Sequence, residues 1–94
     1  MPEITKAYQR GLQDLYDHGL LTDEKMLKGL CDVLKKLDRQ LSAWGGTEAA
    51  IQTLEALAEE LERQSGIRID PGAAAHFAWR YRHHADQLRE DLPR

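Results

Sequence analysis

Histidines, cysteines and paired carboxylates are the side chains from which small proteins most often build reactive sites, and this chain has four histidines and one cysteine among 94 residues. Three of the histidines, His76, His83 and His84, lie near the C-terminus with Asp86 close by. Helices that bind metals place ligands three or four residues apart on one face. His76 and His83 are seven apart, about 10.5 Å along a helix axis, too far to share an ion. His83 and Asp86 have a workable spacing, but two ligands do not make a site, and there is no Glu-x-x-His pair of the di-iron bundle type. No metal and no cofactor is expected. Cys31 falls inside a helical pattern rather than at a helix N-terminus, where a thiolate would be stabilised, and reads as a small hydrophobe. The stretch from Gly66 to Gly72 lacks the Gly-Lys-Ser/Thr ending of a phosphate loop. No serine stands in a nucleophile motif, and a bundle this small offers little room for a pocket of roughly 300 Å³. The chain reads as a protein that is not an enzyme.

The same C-terminal segment carries a different signal. On a helix, Ala74, Phe77, Ala78, Tyr81, Ala85, Leu88 and Leu92 line one side. His76, Trp79, Arg80 and His83 then fall opposite, and Asp86 and Glu90 continue their row. Tryptophan and arginine concentrate at binding hot spots, because each buries much area and keeps a polar handle. The expectation is a partner-binding surface made of His76, Trp79, Arg80, His83 and Asp86. The competing expectation is that Trp79 packs on helix 1, on a bundle end, or against a second copy in a homodimer. Helix 3 carries a secondary acidic surface, Glu48, Glu55, Glu59 and Glu62, with Arg63 placed to relieve Glu59. Helix 2 turns Lys28, Lys35, Lys36 and Arg39 outward. Charge rows of this kind are commonly just solvated faces.

Nucleic acid is disfavoured as a partner. The formal net charge is −3, and affinity for phosphate needs a basic excess. The run Trp79-Arg80-Tyr81-Arg82-His83-His84 interleaves bases and aromatics, but on a helix these side chains diverge and form no common stacking platform. Helix 3 in a helix-turn-helix would present glutamates to phosphate. The first turn of helix 4 offers no base-reading side chain.

These residues are positioned by four segments of helical period. The predicted fold is all-α, a small antiparallel bundle with helices at approximately 3–18, 23–44, 48–65 and 71–92; the alternative is a three-helix core with helix 1 packed across it. In helix 1, Ile4, Ala7, Tyr8, Leu12, Leu15 and Tyr16 recur at helical steps, and Gly19 with His18 closes it. Helix 2 starts from Thr22 as cap and carries the seam Leu27, Leu30, Leu34, Leu37, Leu41, Trp44, at alternating steps of three and four, flanked by Met26, Val33 and Cys31. Gly45-Gly46 ends it. Helix 3 opens at Thr47, buries Ala50, Ile51, Leu54, Leu57, Ala58 and Leu61, and ends at Gly66. Ile67-Arg68-Ile69 is extended, its isoleucines closing a bundle end. Helix 4 opens at Asp70-Pro71, a cap followed by proline at the first helical position, and ends at Pro93. Short links make consecutive helices antiparallel.

A chain of this length is expected to be one domain, residues 1–94. It has no apolar run approaching the roughly 20 residues that span a bilayer, and its polar start resembles no signal peptide. A lone cysteine suits a reducing compartment, so the expected setting is cytoplasmic, with no membrane contact. The preferred function is binding another protein, as an inhibitor, adaptor or accessory subunit, through the outer face of helix 4. The alternatives are a nucleic-acid-associated regulator using that helix and a homodimeric structural module.

Overall fold

A computed structural model describes residues 3–92 and contains four helices: α1 Glu3–Asp17, α2 Glu24–Ser42, α3 Thr47–Arg63 and α4 Pro71–Asp91. Pro93, expected to close the last helix, lies outside the described residues. The helices form a small all-α bundle in which α3 packs most extensively on α4, and α2 packs on both α1 and α3. The Cα envelope measures 41 × 22 × 17 Å. Its cross-section matches two helices by two at the usual separation of about 8–10 Å.

Cross-links fix the directions. Thr5 Oγ1 donates to Asp38 Oδ1 at 3.2 Å, joining the start of α1 to the late part of α2. Thr53 Oγ1 donates to Gln40 Oε1 at 2.7 Å, joining α2 to α3. Arg82 pairs with Glu62, and Arg89 with Glu55, so α3 and α4 run antiparallel. Tyr8 meets His84, and Gly11 faces Phe77, so α1 also touches α4. One apolar core runs through all four helices, with Leu12, Leu34, Leu37, Leu54, Leu61 and Tyr81 almost wholly enclosed. Ala74, Ala78 and Ala85 on α4 face that core, and side chains this small let the helices approach closely.

Several helix ends differ from expectation, each for a local reason. Asp23, not Thr22, caps α2: its carboxylate accepts from the amides of Lys25 (2.8 Å) and Met26 (3.2 Å). Those N–H bonds, Met26's foremost, and Arg68 beyond them hold the Asp23 carboxyl below the usual range. The Thr22 amide instead donates to the Arg68 carbonyl at 2.8 Å, and the Asp70 amide to Leu20 at 2.7 Å. This short antiparallel pairing buries Leu21 and Ile69 together, whereas Ile67 stays exposed. Only one of the two isoleucines therefore seals the bundle end.

The seam of α2 stops at Leu41. Ala43 turns extended (φ −87°, ψ 141°), which throws Trp44 clear of the core and leaves it fully exposed. Gly45 takes a left-handed φ of +75°, and a Cβ on Gly46 would lie 2.0 Å from the Gln40 carbonyl oxygen, so the tight turn demands both glycines. Thr47 is the first residue of α3 rather than its cap, and no side chain caps that helix. The helix ends at Arg63, before the left-handed Gly66. The cap of α4 is as expected, Asp70 accepting from the Ala73 amide at 3.0 Å. So is the close of α1, where Gly19 is left-handed and His18 Nδ1 donates to the Asp14 carbonyl at 2.8 Å. In α1, however, Thr5 is buried and Ile4 is exposed, because this helix turns Thr5 toward α2 and Ile4 toward the edge of α4.

Candidate functional site: the cleft between the first and last helices

The aromatic and basic residues of α4 line a cleft of about 290 Å³ against α1, formed by Ile4, Tyr8, Trp79, Arg80, His83, His84 and Gln87. The register of α4 explains the grouping. With Phe77, Tyr81 and Ala85 turned inward, Arg80, His84 and Gln87 fall on the shoulder facing α1, and Trp79 and His83 lie one step further out.

Trp79 is 63% exposed, and its ring stacks on His83 with centroids 5.2 Å apart and planes at 4°. The two residues are four apart, so α4 itself holds the stack. His76 and Asp86 are exposed on the same side, His76 edge-on to Phe77 and Asp86 held by Arg89 at 2.7 Å. Trp79 thus packs neither on a bundle end nor inside the core.

Arg80 departs from the expected outward row. It is half-buried, with its guanidinium carbon 5.4 Å from the Tyr8 ring centroid and 5.6 Å from that of Phe77. Gly11 creates the space for this arrangement, since a Cβ there would sit 2.9 Å from the Phe77 ring. Cation–aromatic contacts of this kind favour a charge that stays in place.

Tyr8 forms the floor. Its ring meets Tyr81 edge-on at 4.8 Å, and its hydroxyl lies 2.9 Å from His84 Nδ1. In the Nε2–H tautomer the phenol donates to Nδ1 and leaves Nε2–H as a donor. Burial pushes the Tyr8 phenol up, partly offset by Arg80. Burial, aided by His83, pushes the His84 imidazole down. Both groups are therefore neutral near pH 7, and the fixed charge of the cleft is Arg80. No acidic residue lines it. This arrangement can recognise a ligand through stacking, a cation and imidazole donors.

The acidic surface of α3 is not a continuous outward row. Glu62 accepts from Arg82, whose hydrogen bond holds the Glu62 carboxyl below the usual range, and Glu55 accepts from Arg89. These two glutamates staple α3 to α4. Glu48 and Glu59 remain exposed, about 16 Å apart along the axis. Arg63 pairs with Glu60 rather than Glu59, as a three-residue step allows. On α2 two of the outward lysines pair locally, Lys28 with Glu24 and Lys35 with Asp32. Cys31 is half-buried beside the core, and burial raises its thiol pKa, as for a packing residue.

Contrary to the expectation of little open volume, a groove of about 460 Å³ runs between α2 and α3. Met26, Leu30, Val33 and Leu57 supply its apolar lining, and Asp23, Lys25, Glu60 and Arg68 its charged end. Gly29 and Ala56, small residues on facing flanks, open it; that pairing was visible in the sequence only once the two helices were known to be neighbours. Among the described residues no three histidine, cysteine or acidic side chains come together as a metal site, and no helix is long and apolar enough to cross a membrane. Comparison of the chain with protein families, curated proteins and solved structures finds no match.

Proposed function

We propose that this chain works by binding another protein, as an inhibitor, adaptor or accessory subunit, through the α1–α4 cleft and the Trp79–His83 stack on its rim. The reading rests on Trp79. A ring held rigidly by its own helix and left 63% exposed is ready to be covered at little entropic cost. Burying the remainder of such a side chain is worth about 3 kcal/mol, the scale of a hot-spot residue. The setting fits a reducing compartment such as the cytoplasm, where the free thiol of Cys31 persists.

Trp79→Ala with Arg80→Ala should abolish capture of the partner while circular dichroism stays helical. Unchanged capture would exclude the surface. If the partner is a second copy, light scattering will show a dimer that Trp79→Ala dissociates. If it is nucleic acid, a gel shift will appear at about 50 mM salt, where electrostatic binding is strong.

A further inference from the structure

We infer that the segment bound in this cleft carries a carboxylate beside an apolar side chain, the carboxylate seating on Arg80 and the apolar group covering the Trp79–His83 stack. The inference rests on the partner-binding reading above and adds the chemistry of what is bound. Its support is a contrast among the arginines of α4. Arg82 is bonded to Glu62, and Arg89 to Glu55 and Asp86. Arg80, the most enclosed of the three, has no carboxylate partner among the described residues. Its planar fork lies against the Tyr8 and Phe77 rings, and a guanidinium so ordered needs little further organisation to receive a carboxylate through two parallel N–H bonds.

The surroundings leave that position open to an outside anion. The seven residues lining the cleft include the Arg80 guanidinium, two imidazoles and no acid. Of the nearby acids in sequence, Asp86 is held by Arg89, and Glu3 and Glu90 are exposed outside the lining. A single carboxylate meets only Arg80 and the imidazoles, whereas a nucleic-acid strand extended along α1 and α4 would also bring phosphates toward the exposed Glu3 and Glu90. The exposed side chain of Ile4 and the Trp79 ring provide the apolar ground beside the charge.

Trp44→Phe leaves Trp79 as the only tryptophan and the reporter, because Trp44 is fully exposed and outside every helix. The probes are acetyl-GSLELGS-amide, its glutamine counterpart acetyl-GSLQLGS-amide, and a short oligothymidylate. The glutamate peptide should change Trp79 emission and bind about tenfold more tightly than the glutamine peptide, the scale of one charge-assisted pair. Arg80→Gln should remove that preference, and Arg80→Lys should keep part of it. Added salt should weaken only the glutamate peptide. Equal affinities, no binding of the glutamate peptide at about 1 mM, or tighter binding of the oligothymidylate would overturn the inference. Isothermal titration calorimetry reads the Trp79→Ala variant, which lacks the fluorescent reporter. If both peptides bind equally and Trp79→Ala abolishes both, the Trp79 surface stands and the carboxylate preference falls. If Trp79→Ala changes neither affinity, the surface itself falls.

Discussion

Replacing Tyr81 with phenylalanine removes one oxygen from the centre of the bundle, and this loss should stabilise the protein. The Tyr81 side chain is fully enclosed, and its hydroxyl has no hydrogen-bond partner among the described residues. Burial also drives its pKa far up, as expected for a phenol cut off from water. A buried hydroxyl left unpaired costs about 1–3 kcal/mol. Removing the oxygen leaves a void of roughly 10 Å³, which costs about 0.2 kcal/mol at 24 cal/mol per Å³. The ring keeps its edge-on contact with Tyr8 at 4.8 Å. The net expectation for Tyr81→Phe is a gain of about 1–2 kcal/mol, a rise in Tm of at least about 4 °C for a domain of this size. Thermal and urea unfolding followed by circular dichroism measure it, and the urea midpoint should rise with an unchanged slope. A fall in Tm of several degrees would refute the reasoning, for it would mean that the hydroxyl is satisfied in the folded protein, by a buried water or a shifted neighbour.

Gly29 lies mid-helix on the surface of α2, and a Cβ there meets nothing within 4 Å, so Gly29→Ala should stabilise by about 0.5–1 kcal/mol in the same melts. Gly46→Ala should do the reverse, by about 2 kcal/mol or more, because its Cβ would lie 2.0 Å from backbone at the α2–α3 turn; an unchanged Tm would contradict the turn geometry. The depressed pKa of His84 predicts an acid-side loss of stability. Above its ordinary value of 6.5 neither the folded nor the unfolded chain charges it, and as pH falls below that the unfolded chain binds the proton first. Stability should therefore decline as pH falls below about 6.5, and His84→Gln should flatten that part of the profile.

The helical period was legible almost throughout, because Leu27 to Leu41 and Ala74 to Ala85 repeat at helical steps and most of these residues do face the core. What failed was chiefly what depends on a neighbour or on a single backbone angle. Trp44 continues the seven-residue spacing of α2, yet the chain leaves the helix at Ala43, a change of φ and ψ that spacing does not encode. Thr22 is as good a cap by type as Asp23, and was displaced because its backbone pairs with Arg68 across the bundle end. The candidate cleft was legible only in part: Trp79, Arg80 and His83 line it, His76 and Asp86 lie outside its lining, and Ile4, Tyr8, His84 and Gln87 join it through the packing of α1 on α4. Trp79 and His83 lie on the outside as expected, whereas Arg80 turns toward α1 and lies against the Tyr8 ring and the Phe77 ring, the latter admitted by the missing side chain of Gly11. Glu55 and Glu62 were read as free surface because their arginine partners lie on another helix, 34 and 20 residues away.

The central claim, that the α1–α4 cleft and not the α2–α3 groove is the working surface, is tested most directly by parallel affinity capture with two single variants. Trp79→Ala strips the rim of the cleft, and Ala56→Arg, at an exposed position, fills the groove. The account predicts that Trp79→Ala loses the proteins captured by the unmodified chain and that Ala56→Arg retains them. Loss with Ala56→Arg and retention with Trp79→Ala would contradict it.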